Sequence, residues 1–146
     1  MLYIYINIML YFKNDLKYGL SKEVDVMEKI KQQFPEETNI RNTKEIYNKF
    51  CLFDFESLQK TSWEMKSRRN TKTQYPTTII PIHKIRDVDT TQYFIFYFTD
   101  VISYIKYDKD VFDKFNKKVI NANRKDGYNN NGIHYEIPIS YLLDFN

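Results

Sequence analysis

The feature that most constrains the fold is the segment Tyr93–Thr99, which reads Tyr-Phe-Ile-Phe-Tyr-Phe-Thr. It has the length of a strand, and its nearly continuous apolar and aromatic sequence predicts burial on both faces of a sheet. Asp100 then turns the chain. Val101–Tyr107 returns with Val101, Ser103, Ile105 and Tyr107 predicted on one face of a neighbouring strand.

Ser21–Phe34 predicts an amphipathic helix, because Val24, Met27, Ile30 and Phe34 recur at helical spacing and Ser21 is a suitable N-cap. Further strands are predicted at Phe50–Phe55, Trp63–Arg68, Thr77–Ile82 and Ile133–Ile139. One helix followed by strand-length apolar segments predicts an α/β fold, with a mixed central β-sheet flanked by helices. The 146 residues suit a single domain spanning 1–146.

The remaining segments carry weaker signals. Asp108 is expected to cap a short helix, and the Asn-rich stretch Asn116–Asn131 is expected to be a loop. Met1–Phe12 is read as a packed strand or helix, with Met9 as an alternative start. Three short segments complete the prediction: a helical turn at Thr43–Asn48, a poor helix at His83–Gln92 and a closing turn at Ser140–Leu143.

Asp54, Glu64 and Lys66 form the pattern that carries the most chemistry. If Trp63–Arg68 is a strand, Glu64 and Lys66 point to one face and the apolar neighbours point to the other. Two carboxylates beside one ammonium suit phosphodiester hydrolysis, because hard oxygen ligands hold Mg²⁺ and a cation stabilises the developing charge. The pattern therefore indicates a metal-dependent nuclease.

The alternative is a solvated edge strand with a cross-strand ion pair, since the chain has 22 Lys+Arg and 19 Asp+Glu. The surrounding sequence favours the nuclease. Asp54 ends an apolar run, and Ser57–Thr61 offers a polar connection to Trp63, so a hairpin is predicted. Asp54 and Glu64 would then lie on neighbouring strands, where a shared cation is the simplest relief of their repulsion.

Glu23 is a third acid on the inward stripe of the predicted helix, four residues before Met27 and seven before Ile30. A carboxylate on that stripe needs a reason. The alternative is that Glu23 only complements the helix dipole in the first turn, a contribution of roughly 0.3–1 kcal/mol.

Several stretches together resemble the PD-(D/E)XK, or restriction-endonuclease-like, nucleases, over roughly positions 18–107. They are Tyr18-Gly19-x-x-Lys22-Glu23, Phe53-Asp54-Phe55, Trp63-Glu64-Met65-Lys66-Ser67-Arg68, and Tyr75-Pro76-Thr77-Thr78 followed by Lys84. The last of these is similar to a stretch in small nuclease-like proteins of large DNA viruses and phages. One departure is Phe53, where the family often has proline.

The resemblance implies a restriction-endonuclease-like core, with Asp54 and Glu64 as metal ligands, Lys66 as the catalytic lysine and Glu23 as an accessory acid. The resulting hypothesis is that Asp54, Glu64 and the Met65 carbonyl bind Mg²⁺, with Mn²⁺ as a substitute. The ion activates a water for attack on the phosphate, and Lys66 stabilises the negative charge.

The segment Lys60–Lys72 contains five cations and one anion beside the predicted site, within a chain of net charge +3. Such a cluster suits a phosphate backbone, although a charge run is often only a solvated face. The residues predicted to bind nucleic acid are Arg68, Arg69, Lys72 and Lys84. DNA is favoured over RNA as the partner. The alternative function is a non-catalytic nucleic-acid-binding module that uses this basic segment and exposed aromatic rings.

The other chemistry-bearing residues give little signal. Cys51 lies between apolar residues and is expected to be a small buried residue in a reducing compartment. His83 and His134 lack the spacing of metal ligands. The apolar start is too short to span a bilayer and lacks a signal-peptide pattern. We therefore expect an intracellular protein of the host cytoplasm or nucleus, with no membrane partner and with homodimerisation left open.

Overall fold

The fold is described from a computed structural model that covers residues 21–48, 51–86, 89–123 and 129–146, with the backbone alone for 121–123 and 129–131. The predicted Met1–Phe12 element and the Tyr18-Gly19 part of the family motif lie outside the described residues.

The described elements alternate short helices with strands. In chain order they are α1 (21–33), β1 (Arg41–Asn42), α2 (Thr43–Ile46), β2 (Phe55–Glu56), β3 (Ser62–Ser67), β4 (Thr77–Pro81), a 3-10 helix (Ile82–Lys84), β5 (Gln92–Tyr97), β6 (Ile102–Lys106), α3 (Lys109–Phe112), β7 (Asn116–Asn123), β8 (Asn129–Pro138), a second 3-10 helix (Ile139–Tyr141) and β9 (Leu143–Asp144).

Six strands form the central sheet in the order β1-β2-β3-β5-β6-β9. Strands β3 and β5 are parallel, and the other neighbours are antiparallel, so the sheet is mixed as predicted. The predicted α/β class is therefore confirmed at this level, although strands dominate over helices in the described part of the chain. A second, three-stranded antiparallel sheet has the order β4-β8-β7.

Helix α1 covers one face of the central sheet. Val26, Ile30 and Phe34 pack there with Trp63 of β3 and Ile95 of β5. One member of the predicted inward stripe is wrong: Val24 is 69% exposed, and Val26 is fully buried in its place. Met27, Ile30 and Phe34 keep their predicted inward phase, since they lie three or four residues apart on a helix of 3.6 residues per turn.

The three-stranded sheet and α3 cover the opposite face. Phe94 and Phe96 of β5 pack there with Ile80 of β4, Ile137 of β8 and Phe112 of α3. Consecutive residues of β5 thus enter two different cores, which confirms the prediction of a strand buried on both faces. Residues of β6 alternate in the same way, as predicted.

The predicted strand Phe50–Phe55 is largely wrong. Residue 50 lies outside the described residues, 52–54 bend, and the strand begins at Phe55. The physical reason is that Thr43 donates hydrogen bonds to carbonyl oxygens of this segment, which a neighbouring strand would otherwise bind. Its hydroxyl donates to the carbonyl oxygens of Phe53 and Asp54, and its backbone N–H also donates to Asp54.

The predicted loop Asn116–Asn131 is also wrong in its described part, because β7 and β8 pair there as antiparallel strands. Strand β7 is the outer strand of its sheet, so polar side chains such as Lys117 and Lys118 remain in solvent without loss of pairing. Asp108 caps α3 as predicted, accepting from the N–H groups of Asp110 and Val111. In the His83–Gln92 region the described residues show one short 3-10 helix, Ile82–Lys84.

Candidate active site

Asp54 and Glu64 are electrostatic neighbours where the β2–β3 hairpin opens. The register pairs Phe55 with Trp63, and the N–H of Asp54 donates to the carbonyl oxygen of Trp63 at 2.9 Å. The ladder ends at that pair: Asp54 precedes it in a bend, and Glu64 follows Trp63 in β3 and points to the opposite face of the strand. The carboxylate of Asp54 also accepts a 2.8 Å hydrogen bond from the N–H of Met65.

Local structure fixes the position of Asp54 before β2 begins. Asn42 caps α2 by accepting from the N–H of Lys44. This places the fully buried Thr43 against the bend, where its N–H donates to the Asp54 carbonyl oxygen at 2.9 Å. Asp54 is thus held from both sides, by the first turn of α2 and by β3.

Glu64 is almost fully buried, with 4% of its surface exposed, and it is paired with two lysines. The Nζ atom of Lys66 lies 2.9 Å from Oε1 of Glu64. The Nζ atom of Lys84 lies 3.0 Å from the same oxygen and donates to the Leu52 carbonyl at 3.2 Å. Lys66 shares the face of Glu64 because β-strand side chains alternate, whereas Lys84 reaches it from the 3-10 helix that follows β4.

Glu23 reaches the same region from α1 and is 7% exposed, which agrees with its predicted inward phase. Its Oε1 atom lies 2.5 Å from Nζ of Lys44, and its Oε2 atom accepts from the Asn42 amide at 3.1 Å. Burial alone would lower the pKa of Lys44, but the hydrogen bond and charge of Glu23 raise it, with smaller contributions from Asp54 and Glu64. Lys44 therefore connects Glu23 electrostatically to Asp54 and Glu64.

The electrostatic consequence falls on Asp54. Burial and the negative charge of Glu64 raise the pKa of Asp54 to about 7, while the Met65 hydrogen bond and Lys44 oppose the rise. Glu23 adds a further increase. A carboxylate that titrates near neutral pH is a frequent mark of a functional site, because structural acids are usually neutralised by their partners.

The predicted nucleic-acid-binding residues are placed in four different ways. Arg68 donates to Thr78 Oγ1 at 3.2 Å and to the Ile79 carbonyl at 2.6 Å, so its guanidinium joins the two sheets. Burial lowers the pKa of Arg68. Arg69 is exposed, and Lys84 belongs to the Glu64 cluster. Lys72 pairs with Asp144 of β9 at 2.6 Å. Since β9 is three strands from β3, that pair is about 14 Å from the site.

Sequence reasoning missed Lys44, Asn42 and His83. Lys44 and Asn42 hold Glu23, and no spacing in the sequence connects them to the acids. His83 is exposed beside Lys84, and burial and the positive charges of Lys84 and Lys66 lower its pKa. The one available signal was the Asn-Thr-Lys-Glu stretch at 42–45, a plausible helix start that would have placed Lys44 near the hairpin.

The donor chemistry fits a hard divalent cation with few protein ligands. Asp54 and Glu64 supply carboxylate oxygens. The N–H and C=O groups of a strand residue point to the same side, so the carbonyl of Met65 is directed to the side on which its N–H donates to Asp54. Among the described residues, no cluster of three or more His, Cys, Asp or Glu side chains is arranged to hold a metal ion. Magnesium sites commonly use one or two carboxylates and complete their shell with water and substrate oxygens.

Comparison of the chain with protein-family models, with curated proteins and with solved structures finds no match in any of the three. The resemblance to restriction-endonuclease-like nucleases therefore depends on the residues and their arrangement alone. Within the described part of the chain, no helix has both the length and the apolar character needed to cross a membrane.

Proposed function

We propose that the protein is a metal-dependent nuclease that hydrolyses phosphodiester bonds, with DNA favoured over RNA. One observation carries the proposal. Glu23, Asp54 and Glu64 come from three separate segments and meet three lysines in one part-buried cluster. Acids and lysines together are the groups that bind a cation and stabilise a phosphate in the same site.

Asp54, Glu64 and the Met65 carbonyl would hold Mg²⁺ or Mn²⁺, and the bound ion would supply Lewis-acid polarisation of the phosphate and its attacking water. Burial and the like charge of Glu64 raise the pKa of Asp54, so a divalent cation bound by both carboxylates would relieve a repulsion already present. Glu64 would exchange a lysine contact for the cation, which frees an ammonium group for the substrate.

The chain's own residues then divide the remaining work. Lys66 is the group best placed to stabilise negative charge on the phosphate, because it shares the strand face of Glu64. Lys84 approaches the same carboxylate from the opposite sheet, so the two ammonium groups flank the position where a phosphate would bind. Without a bound cation Asp54 has a pKa of about 7, so near neutral pH it would release its proton when the metal ion binds.

A restriction-endonuclease-like core is the finer fold that we propose. Helix α1, the antiparallel β2–β3 pair with Asp54 and Glu64, and the parallel strand β5 beside β3 support it. The connection from β3 to β5 departs from a purely helical crossover, because it passes through β4 of the second sheet and the 3-10 helix.

The alternative is a nucleic-acid-binding module without catalysis. Glu64 already contacts both Lys66 and Lys84, and Glu23 contacts Lys44, so each of the three lysines is already paired with one of these two acids. A cluster balanced in this way can serve folding alone. The raised pKa of Asp54 favours catalysis, since a purely structural acid gains nothing from a buried position beside a like charge.

The test is incubation of the purified protein with plasmid, linear DNA and RNA in Mg²⁺, Mn²⁺ and EDTA. We expect cleavage with either metal and none in EDTA, and an Asp54→Ala preparation serves as the control for contaminating nucleases. Binding of every nucleic acid with no cleavage under any condition would favour the binding module.

A further inference from the structure

A concave site lies further along β3 from the candidate active site. It is a pocket of about 380 Å³, within the range of small-ligand sites. The lining residues that matter here are Arg68, Asn70, Tyr75, Thr77, Thr78 and Lys118. Two of them are cations, four carry an amide or hydroxyl group, and none of the residues that line this pocket is acidic. This composition favours an anionic ligand with polar edges.

The pocket and the active site lie along one seam between the two sheets. Arg68 continues β3, since its N–H donates to the Tyr97 carbonyl, and it is four residues beyond Glu64 on the same face. At about 3.3 Å per residue, the two Cα atoms are about 13 Å apart, with Lys66 halfway between them. Strand β4 runs back along this seam, because its start contacts Arg68 and the residue Lys84 after its end contacts Glu64.

The pocket offers the groups that a nucleotide needs. The ring of Tyr75 is 55% exposed and can stack on a base, because every base has an aromatic face. Asn70 and Thr77 can bind polar base edges, and the exposed amine of Lys118 can bind a phosphate. Arg68 is held in place by its contacts to β4 and lies over the Phe96 ring, so the floor of the pocket is preformed.

We propose that this pocket binds one unpaired nucleotide that flanks the scissile phosphate. The proposal rests on the nuclease function, and it names the substrate class as single-stranded, bulged or frayed nucleic acid rather than continuous duplex. A base inside a duplex is paired and stacked on both faces, so it can enter such a pocket only after leaving the helix.

The test uses three DNA duplexes that differ at one position: a continuous duplex, the same duplex with one bulged thymidine, and the same duplex with one bulged abasic site. The bulge fixes the register at which the protein binds. Affinity is measured by fluorescence anisotropy in Ca²⁺, followed by cleavage in Mg²⁺. We expect wild type to prefer the bulged thymidine over the abasic bulge by about 5- to 150-fold, the effect of one base–aromatic stack.

Tyr75→Ala should abolish that preference, and Tyr75→Phe should keep it, because the ring is retained. Tyr141→Ala is the matched control, since Tyr141 is 50% exposed and does not line the pocket. Equal affinity of wild type for the base and abasic bulges, or an unchanged preference in Tyr75→Ala, would overturn the pocket assignment.

The two proposals fail differently. A Tyr75-dependent preference without cleavage of any substrate would support the pocket and reject the nuclease. Metal-dependent cleavage of all three duplexes at one rate, unaffected by Tyr75→Ala, would support the nuclease and reject the pocket.

Discussion

Acidic side chains lie at both ends of the β2–β3 hairpin, but Asp54 at the open end faces a like charge, whereas the acids at the turn end face donors. At the turn end, Glu37 accepts hydrogen bonds from the hydroxyls of Ser57 and Thr61, both at 2.6 Å. Glu56 accepts from the Tyr47 hydroxyl at 2.7 Å and pairs with Lys60 at 3.3 Å. Each carboxylate there has two donors, so the cluster holds the turn in place.

At the open end, Asp54 receives one hydrogen bond from the Met65 N–H and faces the like charge of Glu64. Burial makes the largest contribution to the raised pKa of Asp54, the charge of Glu64 adds to it, and the Met65 N–H opposes it. The difference between the two ends lies in the donors. The turn end is complete without a ligand, whereas the open end gains most from an added cation.

The largest expected effect is a difference in cleavage rate between variants at the two ends of the β2–β3 hairpin. Asp54→Ala and Glu64→Ala should abolish cleavage, because each removes a carboxylate that the metal needs. Glu56→Gln, at the turn end, should leave the rate unchanged at temperatures where the variant is folded. The measurement is initial cleavage rate in Mg²⁺, with circular dichroism as the folding control. Cleavage by Asp54→Ala at the wild-type rate, or full wild-type activity in excess EDTA, would place the active site elsewhere.

The next effect separates two lysine–glutamate pairs. Lys66→Ala should lower the cleavage rate by about 10²–10³, typical of one lost preorganised donor, and should keep metal binding. Lys60→Ala removes the ammonium of the pair at the turn end and should not change the rate, because that pair lies outside the site. Single-turnover rates and Mn²⁺ titration measure the two properties separately. Loss of metal binding together with activity in Lys66→Ala would contradict the proposed role.

A smaller effect concerns stability and pH. The pKa of Asp54 is raised from 3.8 to about 7 on folding, so its contribution to stability is fully present below pH 3.8 and is lost as the pH rises through 7. Asp54→Asn should therefore be more stable than wild type, by an amount that grows between pH 4 and 7 and reaches on the order of 1–4 kcal/mol.

Urea unfolding at pH 4, 6 and 8 without divalent cations measures this difference. Glu56→Gln provides the comparison, because it breaks two satisfied contacts and should be destabilising at pH 8. A loss of stability in Asp54→Asn at pH 8 would mean that Asp54 is as well satisfied as the turn-end acids.

Much of the central sheet could be predicted from sequence, because β3, β5 and β6 carry their own periodicity. Phe94 and Ile95 are apolar neighbours that enter opposite cores, and a strand with two buried faces follows from that pattern. Strand β7 and the start of β8 could not be predicted in the same way. Asn and Lys dominate that segment, and pairing with β4 through β8, a long-range contact, makes it a strand.

The residues of the candidate site show the same difference between local periodicity and long-range contacts. Glu64 and Lys66 share a face through strand alternation, and Glu23 follows from helical phase, so local rules were enough for these residues. The positions of Lys44 and Lys84 depend on how α2 and β4 cross other elements. Arg68 has the position that the motif spacing predicts. Its guanidinium is bound to β4, however, and the spacing could not predict that contact.

The smallest expected effect concerns the basic segment beyond the open end. Arg69 is exposed directly after the seam, and Lys72 contacts Asp144 at the far edge of the sheet. If Arg69 neutralises one phosphate, Arg69→Ala should lower the slope of log affinity against log salt by about 0.9, which corresponds to about 5-fold in affinity at 0.15 M salt. Lys72→Ala is the matched control and should leave the slope unchanged.

Anisotropy titrations with Ca²⁺ across a range of salt concentrations measure these slopes without cleavage. An unchanged slope in Arg69→Ala would remove this residue from the binding surface. A reduced slope in Lys72→Ala would mean that the nucleic acid displaces Asp144, so the contact surface would extend across the central sheet to β9. In that case the region that binds the backbone would be wider than the open end of the hairpin, because counterion release reports phosphate contacts wherever on the surface they form.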